Sequence, residues 1–297
     1  MPELPEVETV ARYLRAALVG KVITDVDLLW PRMLSTPKKK AFYTGILKMQ
    51  IVGCLRRGKY ILVELASLDL KGRTGKQDRK QDRKQDRARK YLLFHLRMSG
   101  ALQVFSKESP RAKHDRAIFE INQNEELRFN DVRKFGRIAL VDTTEGLLSR
   151  LGPEPLEPQF TEQIFHRELL CRKRLLKPLL LDQSFLAGIG NIYADEALWR
   201  AKLHPKRLSH TLSKDDAGVL LRAIRSTLVR AIECQGTDIG DNVVEFGNYS
   251  PKVYQRTGKG CSRCRTHIKR IVVGQRGTHF CPNCQKLSRS YACWSGA

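Results

Sequence analysis

Four cysteines near the carboxyl end of the chain limit its folding more strongly than any other feature. Cys261, Cys264, Cys281 and Cys284 follow the spacing C-x2-C-x16-C-x2-C. Each C-x2-C turn supplies two thiolates, and two such turns give the four-sulfur tetrahedron that structural zinc prefers. The residues between them, HIKRIVVGQRGTHF, alternate as expected for a β-hairpin. The pattern therefore predicts one structural zinc per chain, in a closed site that folds this segment and carries out no chemistry.

The remaining cysteines, Cys54, Cys171, Cys234 and Cys293, are scattered and give no disulfide framework. The first residues of the chain are too polar for a secretory signal. Together these observations predict a reducing, cytoplasmic location. No apolar run approaches the roughly eighteen residues of a membrane-spanning helix. A thioredoxin-like redox role is disfavoured because no βαβ pattern surrounds the two cysteine pairs.

The charge of the chain indicates a polyanionic partner. Its 297 residues include 54 Lys+Arg against 31 Asp+Glu, which gives a net charge of +23. Nucleic acid is the commonest ligand for so large an excess of one sign. An anionic membrane surface is the alternative, but the sequence contains no basic amphipathic helix with an aromatic face.

Changes in hydrophobic pattern predict a multidomain α+β protein. Up to about Asp142, short runs of β-branched and aromatic residues predict a β-sandwich or barrel behind an N-terminal helix, within residues 1–150. Residues 151–158, LGPEPLEP, are predicted to be a linker. Spaced apolar residues then predict a helical domain at 159–240. The zinc-bound β-hairpin, at 253–291, completes the chain.

Residues 71–90, KGRTGKQDRKQDRKQDRARK, interrupt the strand-like region. They repeat QDRK and carry ten basic residues against three acidic ones. A segment of this composition cannot bury a core, so a disordered loop between two strands is predicted. Contact with DNA phosphates is one interpretation, and a tolerated hairpin insertion is the favoured one.

The chain begins MPELPEVETV, with a proline directly after the initiator methionine. Apolar residues then recur at spacings of three and four, at Val7, Val10, Leu14 and Leu18. This predicts a helix that starts near Pro5 and buries one face. The simplest interpretation is an ordinary helix. The alternative gives Pro2 a chemical role, because loss of Met1 converts its nitrogen from an amide into a secondary amine that can attack carbon.

The stretch SFLAGIGNIYADEALW predicts a glycine turn between two helices. Gly188 and Gly190 suit positive φ, and Asn191 suits the N-cap of the second helix. Free N–H groups at that helix start would either bind one DNA phosphate or belong to a plain turn between packed helices.

Several motifs, taken in order, resemble the formamidopyrimidine-DNA glycosylase family. They are MPELPEVETV, RRGKY, HLRMSG, NDVRKFGR, AGIGNIYADE and the zinc hairpin. The resemblance covers nearly the whole chain except the insertion at 71–90 and the last residues. It implies a helix–two-turn–helix DNA-binding domain within 159–240. It also implies a base-excision repair enzyme, monomeric and associated with a bacterial nucleoid, that removes 8-oxoguanine and formamidopyrimidines from double-stranded DNA.

The resemblance also implies roles for individual residues. Pro2, freed by loss of Met1, would attack C1′ and lead to β,δ-elimination at the abasic site. Glu3 would be the acid/base residue at the sugar, supported by Glu6, and Lys59 would lie close to the lesion. The residues matched to gripping the flanking phosphates are His95, Asn191 and Arg276, the last also linked to elimination. Those matched to filling the gap in the duplex are Met98, Arg133 and Phe135, with Arg133 reading the opposite cytosine.

Other interpretations stay open at this point. Taken singly, Met98 and Phe135 are equally compatible with a core, and Arg133 with a surface charge. An endonuclease VIII-type enzyme would apply the same chemistry to oxidised pyrimidines, although ELPEVET favours the purine branch. A catalytically silent binder of damaged DNA would use only the helical turn and the hairpin. Finally, residues 236–254 are short for the loop that covers flipped 8-oxoguanine in this family, which bears on lesion preference.

Overall fold

The computed structural model describes residues 1–67, 89–237 and 247–287. These residues form two compact units. The first contains Met1–Pro2 and the described residues from Glu6 to Ser149, and the second contains Glu3–Pro5 together with the described residues from Arg150 onward. Although Glu3–Pro5 lie at the start of the chain, they therefore pack with the second unit.

Among the described residues, nine strands and three α-helices build the first unit. A four-stranded antiparallel sheet has the order β1-β7-β8-β6, and a five-stranded sheet has the order β2-β9-β5-β4-β3, in which only β2 and β9 run parallel among the described pairs. The helices are α1 (Leu4–Leu18), α2 (Lys39–Ile46) and α3 (Glu145–Leu148). The strands are β1 (Ile23–Asp27), β2 (Leu34–Thr36), β3 (Met49–Arg57), β4 (Tyr60–Ser67), β5 (Arg89–His95), β6 (Gly100–Ser106), β7 (Asp115–Ile121), β8 (Glu125–Asp131) and β9 (Arg137–Val141).

One apolar core joins α1 to both sheets. The four residues that the periodicity assigned to one helix face, Val7, Val10, Leu14 and Leu18, are all buried. They belong to the same cluster as the inward-facing residues of both sheets, such as Phe94, Phe119 and Phe129. The Phe94 ring lies edge-on to the other two, with centroids 5.6 and 5.9 Å away. The predicted helix and β-sandwich are confirmed.

The basic repeat lies between β4 and β5, two strands that pair directly. Residues 68–88, which include most of the predicted insertion at 71–90, lie outside the described residues. The predicted loop is too long at its end, because Arg89 and Lys90 already belong to β5 and pair with Ala66 and Leu65. Backbone pairing with β4 draws these two polar residues into the sheet, which composition alone could not indicate.

The second unit contains helices and a two-stranded hairpin, as predicted. The helices are α4 (Glu162–Leu170), α5 (Leu176–Leu181), α6 (Asn191–Arg200) and α7 (Lys214–Glu233), and the hairpin is β10 (Lys269–Val273) with β11 (Arg276–Phe280). A capping box formed by Ser213 and Asp216 begins α7. In the parts of the chain that the structure describes, none of the helices has the length and apolar character needed to cross a bilayer.

Two buried carboxylates on α6 hold other segments of the second unit. Asp195 accepts from Lys177 Nζ of α5 at 2.6 Å and from the backbone N–H of His279 in β11 at 2.8 Å. Glu196 accepts from the backbone N–H groups of residues 252, 253 and 254 at 2.8, 2.8 and 3.0 Å. Burial nevertheless raises the pKa of Glu196, against the effect of these donors. Helix α6 is therefore the common contact of α5, β11 and the loop before the zinc site.

Gly188 lies close to the N-terminal segment of the chain. Its φ is +89°, and its carbonyl accepts from the Leu4 N–H at 3.0 Å. A Cβ at this position would lie 2.8 Å from the Leu4 Cβ. Both the positive φ and the close approach require glycine here.

We expect Gly188→Ala to lower the free energy of unfolding more than Gly20→Ala does. Gly20 has nearly the same φ, +91°, but a Cβ added there would meet nothing within 4 Å. The Gly20 variant therefore measures backbone strain alone, about 1–3 kcal/mol. The Gly188 variant adds overpacking against Leu4, roughly a further 1–3 kcal/mol. Urea denaturation of both variants measures the difference, and equal losses would contradict the packing argument.

Candidate functional site

The Glu3 carboxylate occupies the amino end of α6. Its oxygens accept from the backbone N–H groups of Gly190 at 2.9 Å, Ile192 at 2.9 Å and Tyr193 at 3.3 Å. Glu3 is only 1% exposed. The first N–H groups of a helix have no partner within the helix, and the helix dipole stabilises negative charge there. The anion at these three amides is therefore a side chain of this chain, not the DNA phosphate that the glycine turn suggested.

The glycine turn differs from the prediction in two further respects. Gly190 has φ −131°, an ordinary value, and is itself the N-cap, so Asn191 is the first helical residue and not the cap. Gly190 is needed for space, because a Cβ there would overlap the Glu3 carboxyl group. The Asn191 amide instead donates to the Gly277 carbonyl of β11 at 3.0 Å. No described residue donates to its buried Oδ1.

The other N-terminal candidates lie in the first unit. Pro2 is buried directly before α1, and Glu6 is 2% exposed in the first turn of that helix. Lys59 is 6% exposed and lies with Gly58 in the two-residue turn between β3 and β4. Charged side chains such as Glu6 and Lys59 are rarely buried at an ordinary protein surface, so their burial indicates a functional site.

An ion pair connects the turn that carries Lys59 to α1. Arg56 donates to the Glu8 carboxylate at 2.9 Å and to the Gly58 carbonyl at 3.2 Å. Burial would raise the pKa of Glu8, but its hydrogen bonds to Arg12 and Arg56 outweigh that effect and lower it. Sequence reasoning missed Glu8 and Arg56, because nothing in their separation along the chain signals that the two charges meet.

His95 ends β5 next to the Lys59 turn. Its ring lies edge-on to Tyr60 with centroids 4.7 Å apart, and its Nδ1 accepts from the Arg97 N–H at 3.1 Å. Burial, followed by the charges of Arg97 and Lys59, lowers the pKa of His95 to about 3. The imidazole is therefore neutral at neutral pH. Since Nδ1 is an acceptor, its proton lies on Nε2, where it can donate to an anion.

The three residues matched to filling a gap in DNA are all exposed. Met98 is 40% exposed and Phe135 is 50% exposed, which excludes the core interpretation for both. Arg133 is exposed as well, and its Nη1 lies 3.5 Å from Met98 Sδ. Two separate loops, one before β6 and one before β9, therefore carry these exposed side chains, and Arg133 and Met98 are in contact.

Arg276 is exposed at the start of β11, after a turn in which Gly274 and Gln275 both have positive φ. Bonds from α6 hold the strand behind it. Asn191 donates to the Gly277 carbonyl, and Asp195 accepts from both the N–H and Nδ1 of His279. Sequence reasoning missed Asp195 and Lys177. The available signal was a lysine within the apolar run LLKPLLL and an acid within an otherwise buried helix.

The four cysteines form a site whose geometry fits zinc. Their Sγ atoms lie within 4.8 Å of one another, with pairs at 3.4, 3.5 and 3.9 Å. Zinc–sulfur bonds of about 2.3 Å in a tetrahedron require sulfur–sulfur distances near 3.8 Å. With four thiolate ligands the site is closed. The chain thus holds one structural zinc.

The zinc site is docked on the carboxyl end of α6. The Arg263 guanidinium lies 3.9 Å from the Trp199 ring centroid and donates to the carbonyls of Trp199 and Arg200 at 2.6 and 3.1 Å. Trp199 Nε1 in turn donates to Cys261 Sγ at 3.4 Å. Arg263 therefore serves to orient the cysteine turn.

Comparison with known proteins identifies the family. Three family models match the chain in order: the formamidopyrimidine-DNA glycosylase N-terminal domain at residues 1–138, its H2TH domain at 151–243, and the zinc finger found in FPG and IleRS at 258–287. The chain belongs to the formamidopyrimidine-DNA glycosylase family. The chain is thus a DNA-repair glycosylase with a zinc finger.

Relatives of this glycosylase match over its full length. It is 43% identical to formamidopyrimidine-DNA glycosylase of Pelotomaculum thermopropionicum, over 97% of this chain and 100% of the relative. It is 41% identical to that of Herpetosiphon aurantiacus, over 96% and 100%. Similar solved structures include Lactococcus lactis Fpg with abasic-site DNA (TM-score 0.83, 35% identity) and MutM with DNA containing carbocyclic 8-oxo-G (TM-score 0.82, 35% identity). Both cover 96% of this chain and 100% of the other chain.

We expect Cys281→Ser to abolish zinc binding by this glycosylase and to weaken its binding of DNA. Loss of one thiolate opens the tetrahedron, and the hairpin that presents Arg276 depends on the metal for its order. Metal analysis of the purified protein and a fluorescence-anisotropy titration with duplex DNA measure the two effects. Cys171→Ser, at an exposed cysteine, is the control and should keep both. Full DNA affinity in a zinc-free Cys281 variant would contradict the prediction.

The lowered pKa of His95 predicts a pH dependence of stability. The folded protein binds the proton at a pKa of about 3, against 6.5 for the ordinary group. The unfolded chain therefore takes up more protons between these values, so folding stability falls as the pH drops from 6.5 toward 3. His95→Gln should make this decline shallower, as measured by urea denaturation at several pH values. An unchanged decline would show that His95 titrates normally in the folded state.

Proposed function

We propose that this protein excises oxidised purines from duplex DNA and then cleaves the abasic site by β,δ-elimination through its N-terminal proline. The observation that carries the proposal is the position of Glu3. This residue follows Pro2 in the chain, and its carboxylate is held by three amides at the start of α6. The names of the relatives, and neighbouring structures with abasic, 8-oxo-G and FAPY-dG DNA, support the same activity.

Pro2 supplies the nucleophile once Met1 has been removed. The lone pair of its secondary amine attacks C1′, and the bond between C1′ and the damaged base breaks with its electrons leaving on the base. Loss of the proton on the attached nitrogen restores its lone pair. Protonation of O4′ then opens the sugar ring as that lone pair forms the iminium between C1′ and the proline nitrogen. An iminium from a secondary amine has no N–H to lose, so it stays cationic and acidifies C2′–H.

Glu3 exchanges protons at the sugar in this scheme, with Glu6 supporting the same site and Lys59 near the lesion. A carboxylate held by preorganised donors needs no reorganisation at the moment of reaction. Loss of the C2′ proton expels the 3′ phosphate, and a second elimination expels the 5′ phosphate. Arg276 stabilises the negative charge of the departing phosphate, which suits its exposed guanidinium.

DNA is bound through phosphates and through the gap that base flipping creates. His95 donates from a neutral imidazole, while Asn191 and Arg276 contribute from the second unit. Met98, Arg133 and Phe135 enter the duplex where the damaged base leaves. Arg133 donates two hydrogen bonds to the cytosine that has lost its partner.

The lesion preference depends in part on the stretch from 236 to 254. Residues 238–246 of that stretch lie outside the described residues. We propose oxidised purines as the lesions that this enzyme removes, because the matching family model and the relatives carry the formamidopyrimidine name. We place this activity in a bacterial cytoplasm, with the nucleoid.

Borohydride trapping tests the function directly. With a duplex carrying 8-oxoguanine opposite cytosine, we expect reduction during turnover to leave DNA covalently attached at Pro2, as located by mass spectrometry. An additional N-terminal residue makes the proline nitrogen an amide, so it should abolish trapping and strand cleavage while DNA binding remains. Pro2→Gly should keep some trapping, because a primary amine still forms an imine.

Three outcomes of this trapping experiment, and of strand-cleavage assays with a 5-hydroxycytosine duplex beside the 8-oxoguanine one, would overturn parts of the proposal. Equal trapping of the extended form would move the nucleophile elsewhere, with Lys59 as the next residue to test. Faster cleavage of a 5-hydroxycytosine duplex would assign an endonuclease VIII-type preference. Binding without cleavage of either duplex would leave a silent damage-binding protein.

We expect Gly190→Ala to reduce base excision by about 100-fold, the typical effect of misplacing a catalytic group by about 1 Å. The backbone at Gly190 is extended and accepts alanine, but the added methyl group displaces the Glu3 carboxylate. Single-turnover excision of 8-oxoguanine measures the rate, with DNA affinity as the companion measurement. Gly146→Ala in α3, where the new Cβ meets nothing within 4 Å, is the matched control. A wild-type rate in the Gly190 variant would remove Glu3 from the reaction.

A further inference from the structure

A single buried carboxylate joins the two loops that carry the exposed residues Met98, Arg133 and Phe135. Asp131, the last residue of β8, is 1% exposed. Its Oδ1 accepts from the Ser99 hydroxyl at 2.6 Å and from the Arg133 N–H at 3.1 Å. Its Oδ2 accepts from the Gly136 N–H at 2.7 Å. Ser99 follows Met98 in one loop, while Arg133 and Gly136 enclose Phe135 in the other.

The bases of both loops also rest on one aromatic ring. A Cβ added at Gly100 would lie 2.6 Å from Phe129, and one added at Gly136 would lie 2.5 Å from it. On the outer side, Lys134 Nζ lies 4.2 Å from the Trp30 ring centroid. The loop tips are exposed, yet the backbone beneath them is fixed by a carboxylate, a phenyl ring and a cation–π contact.

We propose that Asp131 is a positioning residue that makes Met98, Arg133 and Phe135 move and insert as one unit, here called the wedge. The inference rests on the proposed function, which places these three side chains in the duplex. It adds that extrusion of the lesion and reading of the opposite base are coupled through the bond between Asp131 and Ser99. Three hydrogen bonds on one buried carboxylate give this coupling its strength, because bonds to a charged acceptor in a low dielectric are stronger than neutral ones.

Two variants weaken the hydrogen bonds beneath the wedge to different extents. Ser99→Ala removes the hydroxyl that donates to Asp131 at 2.6 Å and accepts from the Arg133 N–H at 3.3 Å, and it leaves both N–H bonds to Asp131 within the second loop. Asp131→Asn keeps the size of the side chain but replaces one acceptor with an NH2 donor, which then faces an N–H or a hydroxyl. Because Ser99→Ala changes a half-buried hydroxyl, it tests the coupling even if Asp131→Asn folds poorly.

Asp115→Asn is the matched control. Asp115 is another buried carboxylate of the same sheet, 4% exposed, and it accepts from the Ala112 N–H at 2.8 Å and from Asn130 Nδ2 at 2.9 Å. The segment it holds carries none of the three wedge side chains. A general loss of stability in this sheet would therefore affect the control and the two test variants alike.

Three measurements separate positioning from general stability. The first is the fluorescence rise of 2-aminopurine placed beside 8-oxoguanine, which reports unstacking. The second is the ratio of excision rates opposite cytosine and opposite adenine. The third is strand cleavage of DNA with a preformed abasic site, where no base remains to be extruded.

We expect Ser99→Ala and Asp131→Asn to reduce the fluorescence amplitude and to lower the cytosine-to-adenine ratio roughly fivefold or more, toward the value of Arg133→Ala. Cleavage of abasic DNA should stay within about twofold of wild type. Asp115→Asn should leave the ratio unchanged.

The possible failures are distinguishable. If Arg133→Ala itself leaves the ratio unchanged, the proposed role of Arg133 is wrong and the basis of the wedge is lost. If Arg133→Ala lowers the ratio but Ser99→Ala and Asp131→Asn do not, only the coupling through Asp131 is wrong. Equal effects of Asp115→Asn and Asp131→Asn would likewise overturn the coupling.

Discussion

The bond between the Glu3 carboxylate and the first amides of α6 is the interaction on which the rest of the site depends. A buried carboxylate is costly unless donors surround it, and the start of a helix offers free N–H groups with a favourable dipole. The same bond requires Gly190 to lack a side chain. It thereby fixes the residue next to Pro2 by tertiary contacts, although the end of a chain is ordinarily its least ordered part.

Buried carboxylates that accept from the backbone of other segments recur in both units. Glu196 and Asp195 bind the loop before the zinc site and strand β11, respectively. In the first unit, Asp131 accepts from the backbone of one loop and from the Ser99 hydroxyl of the other. In each case a helix or strand carries the acid, and a segment distant in the sequence supplies one or more of the donors. Exposed side chains on these loops are thus held by atoms that do not face solvent.

In the zinc hairpin, a metal takes the place of a large apolar core. Its described strands are short, five residues each, and bury few apolar side chains of their own. Zinc therefore supplies much of the folding energy of this segment. Contacts of Arg263 with Trp199, and of His279 with Asp195, then orient the hairpin on α6. Arg276 is exposed, but the strand behind it is fixed.

Local patterns in the sequence determined the α1 face, the strands, the helices and the four zinc ligands, because periodicity and ligand spacing are properties of short segments. Ordered motifs gave the family and the candidate residues. Only the tertiary structure decided that the anion at α6 is Glu3, that Gly190 and not Asn191 caps the helix, and that Arg89 and Lys90 belong to β5. It alone joined Asp131 to Ser99 and Asp195 to Lys177. These contacts link residues far apart in the chain. The sequence does not show which distant N–H groups will donate to a given carboxylate, because that depends on how the segments pack.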